Sequence, residues 1–289
     1  MSFVIEEIAS QPGCWQRAAE MAGGVAGLPA PGERVAVVGC GTSLFIAQAY
    51  AALREAAGAG ESDAFPASEF PRGRTYDRVV VICRSGTTTE VLELLRATTL
   101  PTVAVIGDPR TPIVAAADTC VVLDFADERS VVQTRFATTA LVLLRAHLGL
   151  LPDDLIEQCR AAIEWPLPAG ALARGQFTFL GAGWTNGIAN EAALKVREAA
   201  GAWTESYPAM EYRHGPISVS DERSLVWFFG TPPAGLVKQV ERTGALVEDA
   251  ETDPLADLVR VQRLAVALAE SKDLDPDQPR NLTRSIILS

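Results

Sequence analysis

Three segments of this 289-residue chain recur at a single offset. Val38-Gly39-Cys40-Gly41-Thr42 matches Leu180-Gly181-Ala182-Gly183-Trp184, and Arg54-Glu55-Ala56-Ala57-Gly58 returns unchanged as Arg197-Glu198-Ala199-Ala200-Gly201. Ser68-Glu69-Phe70 matches Met210-Glu211-Tyr212, and the spacing is 142 to 143 residues throughout. Chance gives one such match in Ala-rich sequence; three at one offset are explained by duplication of a unit.

Within each copy, short apolar runs alternate with helical periodicity. Arg34–Gly39, Val79–Cys83, Val103–Gly107 and Thr119–Leu123 read as strands, with helices over Ser43–Ala57 and Thr89–Thr98. The second copy repeats the pattern: strands over Phe177–Gly181, Leu225–Gly230 and within Gly244–Ala250, helices over Gly187–Ala200 and Val259–Ser271. Continuous apolar strands between helices predict an α/β fold, with mostly parallel sheets covered on both faces. The predicted organisation is an N-terminal helical segment (1–30), a first α/β domain (31–164) and a second (171–289). The break falls at Trp165-Pro166-Leu167-Pro168-Ala169-Gly170, where two prolines and a glycine end any helix.

The formal charge of −11 and the absence of a Lys/Arg cluster argue against nucleic acid as a partner. No run approaches the roughly 20 apolar residues of a membrane span. The first ten residues carry Glu6 and Glu7 and no basic stretch, so neither a leader nor a membrane is expected, and the cytoplasm is the predicted compartment. Five scattered cysteines (Cys14, Cys40, Cys83, Cys120, Cys159) without a CxxC pair predict core residues rather than disulfides or zinc. With only His147 and His214, no metal site and no cofactor are predicted; His147, in a Leu-rich helical stretch, reads as structural.

Open parallel sheets bind ligands beyond the carboxyl ends of their strands. Two such ends are rich in small and hydroxylic residues. Gly39-Cys40-Gly41-Thr42-Ser43 leads into a helix, where glycines admit an anion to backbone N–H groups and Thr42 and Ser43 add hydroxyls. It is not a dinucleotide fingerprint, because Leu44 stands where a third glycine belongs. Cys83-Arg84-Ser85-Gly86-Thr87-Thr88-Thr89-Glu90 concentrates hydroxyls before a second helix, with Arg84 available for a bidentate contact. The plainer reading of this stretch is a capping box, Thr87 with Glu90. A third polar cluster, Arg129–Arg135, precedes another helix. In the second copy Glu191, Lys195 and Glu198 share one helix face, and His214 stands before Gly215-Pro216.

Taken together, Cys40-Gly41-Thr42-Ser43, Ser85-Gly86-Thr87-Thr88, Glu191-Ala192-Ala193-Leu194-Lys195 and Arg213-His214-Gly215-Pro216 resemble the tandem sugar isomerase (SIS) domain proteins. These include the isomerase half of glucosamine-6-phosphate synthase and the amino-sugar-phosphate deaminases and deglycases. The resemblance implies two three-layer α/β/α domains and a hexose or hexosamine 6-phosphate as ligand. It places Ser43, Ser85 and Thr88 on the phosphate, with Cys40, Gly41, Cys83 and Arg84 in the same loops, and Thr42 and the backbone near Val131 on sugar hydroxyls. It makes Glu198 the base that moves a proton between C1 and C2, Lys195 its positioning partner, and His214 the ring-opening group, reaching across a homodimer. The loop departs from the common Ser-Gln-Ser-Gly-Glu-Thr at Cys83, Arg84 and Thr87. Synthase-like relatives carry a Schiff-base lysine after Pro-Arg-Asn-Leu-X; here that position is Arg284, which cannot serve as that nucleophile and is counted instead among the substrate- and phosphate-binding residues. With Ser2 rather than a cysteine after Met1, a glutaminase domain is not expected. The favoured activity is amino-sugar-6-phosphate deaminase/isomerase. A deglycase, a simple aldose–ketose isomerase and a non-catalytic sugar-phosphate sensor are the alternatives.

Overall fold

The computed structural model describes residues 2–288. The chain opens with α1 (Phe3–Ala9) and α2 (Gln11–Met21). It then runs β1 (Val35–Gly39), α3 (Thr42–Ala56), β2 (Ser62–Pro66), β3 (Arg78–Cys83), α4 (Thr89–Ala97), β4 (Thr102–Ile106), α5 (Ile113–Ala116), β5 (Thr119–Val122) and α6 (Arg135–His147). The remainder is α7 (Leu155–Glu164), β6 (Gln176–Gly181), α8 (Thr185–Ala200), β7 (Trp203–Pro208), β8 (Ser224–Phe228), α9 (Leu236–Glu241), β9 (Leu246–Glu248) and α10 (Pro254–Glu270).

The strands form two all-parallel sheets, ordered β2-β1-β3-β4-β5 and β7-β6-β8-β9. The shared order is the duplication made visible: β6, α8, β7, β8 and β9 repeat β1, α3, β2, β3 and β4. The inner strands are buried on both faces, which is why they read as unbroken Val/Ile runs. On one face of the first sheet, Val38, Val79, Val81, Ala104 and Ile106 pack against Val91, Leu92 and Leu95 of α4. In the second, Leu180, Val226 and Phe228 pack against Leu236 and Val240 of α9.

The edge strands β2 and β7 escape sequence reading. Ser62–Pro66 and Trp203–Pro208 are half-polar and only partly buried, so no apolar run marks them. The helix predicted to begin at Val259 starts at Pro254, with the Asp253 carboxylate accepting from Leu255 N at 2.9 Å as its cap.

By contact the chain divides into two compact units that are not contiguous in sequence. One holds the second sheet with residues 1–9, 130–134 and 154–282; the other holds the first sheet with residues 10–129, 135–153 and 283–289. The predicted break at 165–170 separates the two sheets in sequence, but α7 packs with α10 of the second unit. Residues 130–134 join that unit through Ser130, whose hydroxyl and amide both donate to the buried Glu7 carboxylate of α1. His147 sits where its structural reading puts it, at the end of α6, with Nε2 donating to the Pro29 carbonyl at 3.1 Å. All five cysteines are free thiols; Cys14, Cys83 and Cys159 are buried, and Cys40 and Cys120 partly so.

Gly39 and Gly181 hold equivalent places at the ends of β1 and β6. A methyl group at Gly39 would land on the Ser43 backbone, and one at Gly181 on that of Thr185. The strand therefore hands over to its helix through a contact that only glycine permits. Gly39→Ala is expected to lower stability by about 1–3 kcal/mol. Gly13→Ala, in the open interior of α2, should raise it by about 0.5 kcal/mol. Urea titration of both variants checks the pair.

Candidate functional site

In the first unit, β3 ends at Cys83 and the chain reverses through Gly86, at φ +62°, before α4 begins. A side chain at Gly86 would strike Thr111. The turn brings Ser85, Thr87 and Thr88 together: Ser85 Oγ lies 3.5 Å from Thr88 Oγ1 and accepts from Thr87 N at 3.3 Å. The Cys83 thiol lies 3.7 Å from Thr88 Oγ1, inside the same cluster. The capping-box reading does not materialise. Thr88, not Thr87, is the N-cap residue, and it makes no side-chain cap hydrogen bond. The loop's hydroxyls are thus turned to one another and to residue 285.

Arg84 points elsewhere. Its guanidinium is buried, 3.6 Å from the buried Glu128 carboxylate, and it donates to the Arg284 carbonyl at 3.0 Å. The bidentate contact to a ligand foreseen for Arg84 is therefore not its arrangement here; it ties the loop to the segment before α6 and to the tail. Arg284 itself ion-pairs with Asp127 at 2.5 Å and donates to the Glu128 carbonyl at 3.1 Å.

The neighbouring loop, after β1, carries Cys40 and Gly41, and Thr42 and Ser43 form the first turn of α3, both buried. Gly41 rather than a hydroxylic residue is the N-cap. Burial pushes the Cys40 thiol up to about 11, so at neutral pH it is a packed thiol, not a nucleophile. Cys40 and Cys83 pack on the same apolar cluster.

In the second unit α8 brings Glu191, Lys195 and Glu198 together. Lys195 Nζ donates to Glu198 Oε2 at 2.5 Å and lies 3.4 Å from Glu191 Oε1. Lys195 and Glu191 are fully buried, whereas Glu198 keeps 20% of its side chain exposed. Beside it opens a cavity of about 670 Å³ lined by Arg197, Glu198, Lys272, Gln278, Arg280 and Asn281. The cations suit this end of α8, where unpaired carbonyls accumulate negative charge; Lys272 Nζ donates to the Ala200 carbonyl at 3.0 Å. His214 is exposed at the end of a 3₁₀ turn, Glu211–His214, that is fixed by Arg213 donating to Gln239 and to the Ala234 carbonyl, each at 2.7 Å. Val131 lies in the 130–134 segment of this unit, beside the Ser130–Glu7 contact. Among the described residues no cluster of His, Cys, Asp or Glu is arranged to hold a metal, and no helix is long and apolar enough to cross a membrane.

Sequence reading missed the tail residue Ser285, which sits among the Ser85, Thr87 and Thr88 hydroxyls. Its one signal was a hydroxyl next to Arg284. It also missed a second buried charge cluster. Asp257 accepts from Trp227 Nε1 at 2.7 Å and pairs with Arg260 at 2.8 Å; Arg260 also pairs with Glu248 and lies over the Trp165 and Trp227 rings. Burial pushes the Asp257 carboxyl up to about 6 against the opposing pull of Trp227 and Arg260.

The chain matches no protein-family model. It is 27% identical over 354 residues to the isomerizing glutamine–fructose-6-phosphate aminotransferase of Gloeobacter violaceus, a match covering 98% of this chain and 58% of that protein. Against the same-named protein of Bacteroides thetaiotaomicron it is 34% identical over 140 residues, covering 38% of this chain and 23% of that one. The chain thus spans little more than half, at most, of these relatives' length. Among solved structures, glucosamine-6-phosphate deaminase of Thermotoga maritima superposes with a TM-score of 0.85 at 23% identity, covering 99% of this chain and 100% of that one. Tagatose-6-phosphate ketose/aldose isomerase of Escherichia coli gives 0.77 at 17% identity over 98% and 97%. At these identities the structural likeness speaks for the fold.

The buried Lys195 ammonium is the counter-charge of two carboxylates. Lys195→Met is expected to destabilise the protein by about 3–5 kcal/mol, because it removes the buried cation that faces both acids. Urea unfolding at neutral pH checks this; a loss below about 1 kcal/mol would mean that the acids are neutral or hydrated.

Proposed function

We propose that this chain, a tandem SIS protein, binds a hexose or hexosamine 6-phosphate and catalyses aldose–ketose chemistry on it, with amino-sugar-6-phosphate deamination/isomerisation as the favoured reaction. The observation that carries the reading is the loop at the end of β3. Ser85, Thr87 and Thr88 set three hydroxyls together at the start of α4. Hydroxyls and free helix N-terminal amides are the groups that hold a phosphate without needing a cation. Fold and sequence likeness to proteins named for sugar 6-phosphates support the same ligand.

The other roles proposed are those that the resemblance implies. The Ser85–Thr88 loop, with Ser43 and the amides near Gly41, holds the phosphate, and Thr42 and the backbone at Val131 hold sugar hydroxyls. Glu198 is the base: one carboxylate oxygen is held by Lys195, and the other takes the proton from C2 and returns it to C1. Its partial exposure at a cavity edge suits a group that must meet substrate, and Lys195 fixes its orientation. His214, exposed on its turn, shuttles the proton that opens the sugar ring, acting in a homodimer from the partner copy. Arg284 stands where a Schiff-base lysine occurs in synthase-like relatives. Its guanidinium is not an amine nucleophile and is ion-paired to Asp127, so no Schiff base to the protein is proposed: enolisation turns the C2 amine of an amino sugar into an imine, and water adds to that carbon and expels ammonia, leaving the 2-ketose.

A panel of hexose and hexosamine 6-phosphates assayed for both ketose and ammonia tests the reaction. The expected result is ammonia and ketose together from an amino sugar. Ketose alone would select simple isomerisation, and binding without turnover would select a sensor. On the active substrate, Glu198→Gln is expected to lower kcat by about 10²–10⁴-fold with little change in calorimetric affinity. Ser85→Ala should weaken binding about tenfold. Unchanged turnover in Glu198→Gln would remove Glu198 as the base.

A further inference from the structure

Residues 130–134 belong to neither a helix nor a strand, so no ladder or helical turn fixes their backbone. Their side chains alternate instead. Ser130, Val132 and Thr134 are at most 2% exposed, whereas Val131 and Gln133 are half-buried. The groups that hold the segment come from elsewhere in its own unit. Ser130 N donates to Glu7 Oε1 at 3.3 Å, and Ser130 Oγ donates to Glu7 Oε2. The Ser130 hydroxyl also lies 2.8 Å from the Val132 carbonyl, so one carboxylate holds the backbone on both sides of Val131. Gln262 of α10 reaches the Thr134 carbonyl at 3.5 Å.

Glu7 lies on α1 and is 3% exposed. A carboxylate at this depth is stable only where donors meet it. Packing alone is served by apolar residues, as Val4 and Ile8 of the same helix show at 1% and 4% exposed. The helix is itself anchored by Asp277, which accepts from Ser2 Oγ and from the Phe3 and Val4 amides at 2.7 to 2.8 Å. The residues after Asp277, Gln278 to Asn281, line the cavity beside Glu198. One continuous set of contacts thus runs from that cavity wall through α1 to the backbone at Val131.

We propose that Glu7 is a positioning residue for the sugar. Acting through Ser130, it sets the backbone around Val131 that meets the sugar hydroxyls, and so governs affinity for the sugar rather than for the phosphate. This rests on the reading of the ligand as a hexose or hexosamine 6-phosphate with Val131 on its hydroxyls. A backbone group pairs with a hydroxyl only over a narrow range of distance and angle, so a small shift of the segment loses the contact. The segment and Glu198 belong to the same unit, and holding the sugar at Val131 also holds C1 and C2 in register with the base.

The test is calorimetric titration with glucose 6-phosphate and galactose 6-phosphate, with inorganic phosphate measured by competition against the tighter of the two. The proteins are the unaltered chain, Glu7→Leu, Glu7→Gln, Ser130→Ala and Ser85→Ala. Glu7→Leu is expected to weaken the sugar phosphate about tenfold and inorganic phosphate by less than about twofold. Glu7→Gln can still accept from Ser130 N and donate to Ser130 Oγ, so it should regain most of the loss. Ser130→Ala keeps only the amide link and should lose about threefold on the sugar phosphate alone. Ser85→Ala should weaken every ligand. Unchanged sugar-phosphate affinity in Glu7→Leu, or an equal loss on inorganic phosphate, overturns the proposal: α1 would then support the fold and nothing more. Should Glu7→Leu fail to fold by circular dichroism, Ser130→Ala decides by the same comparison. Weakened binding in Ser85→Ala beside unchanged binding in the Glu7 and Ser130 variants removes the positioning role but keeps the phosphate anchor. If the unaltered chain binds neither sugar phosphate, or binds them no more tightly than inorganic phosphate, the reading of the ligand falls and the proposal with it.

Discussion

Parallel pairing is the constraint from which the rest follows. When every strand of a sheet runs the same way, all carboxyl ends emerge along one edge, and the helices that follow begin there. Unpaired helix amides thus collect at one rim, and any hydroxyl in the connecting turns adds to them. The helical crossovers between successive strands set this arrangement: they return the chain to start each strand in the same direction and cover both faces, which is why the inner strands are Val/Ile runs. In the first sheet the rim carries Thr42, Ser43, Ser85, Thr87 and Thr88. In the second, the matching positions carry Trp184 and Thr185 after β6 and Thr231-Pro232-Pro233 after β8. Thr185 Oγ1 there bonds to Ala182 and Phe229, closing the turn on itself. One copy kept donors at its rim; the other did not.

The duplication also isolates what is special about Glu198. Its counterpart Glu55 lies in the same Arg-Glu-Ala-Ala-Gly run at the end of α3. Glu55 accepts from Ser62 N at 2.8 Å and so pins the start of β2, a purely architectural task. Gln48 and Ala52 stand where the second copy has Glu191 and Lys195. The bare repeated motif is therefore scaffolding. The buried ammonium one turn earlier, with a second carboxylate behind it, is the addition that turns the same helix end into a candidate base.

How much of this was legible depended on where each signal lay. Strands such as Val35–Gly39 and Val79–Cys83 announce themselves because burial on both faces demands continuous apolar residues. Ser62–Pro66 and Trp203–Pro208 do not, since an edge strand is held by backbone pairing that leaves its side chains free to be polar. The hydroxyl loop and the Lys195–Glu198 pairing were readable from local spacing. The inward turn of Arg84 was not, because its partner Glu128 lies 44 residues further along the chain. The tail's place on the loop is likewise a contact across some 200 residues of sequence, with no periodicity to betray it. Residues 130–134 and the first helix joining the second sheet's unit belong to the same class: Ser130 donates to Glu7, Gln262 to the Thr134 carbonyl, and the Phe3 and Val4 amides to Asp277, contacts that no local pattern encodes.

The two charge clusters of the second unit each join a buried cation to one buried and one partly exposed acid. Around Arg260, Asp257 and Glu248 supply the counter-charge, Trp227 donates to Asp257, and indole rings lie over the guanidinium. Asp257 and Arg260 are almost wholly buried, so no ligand can reach their carboxylate or guanidinium without unpacking β8 from α10. Burial drives the Asp257 carboxyl up, which is the cost of placing an acid in a site built for packing. Around Lys195 the partly exposed acid borders a cavity. The cation and Glu191 are buried, while Glu198 stands at the rim of a cavity with one carboxylate oxygen tied down by the ammonium. Glu248 beside Arg260 is nearly as exposed as Glu198, 18% against 20%, so what sets Glu198 apart is the cavity it borders, with a buried ammonium holding its other oxygen.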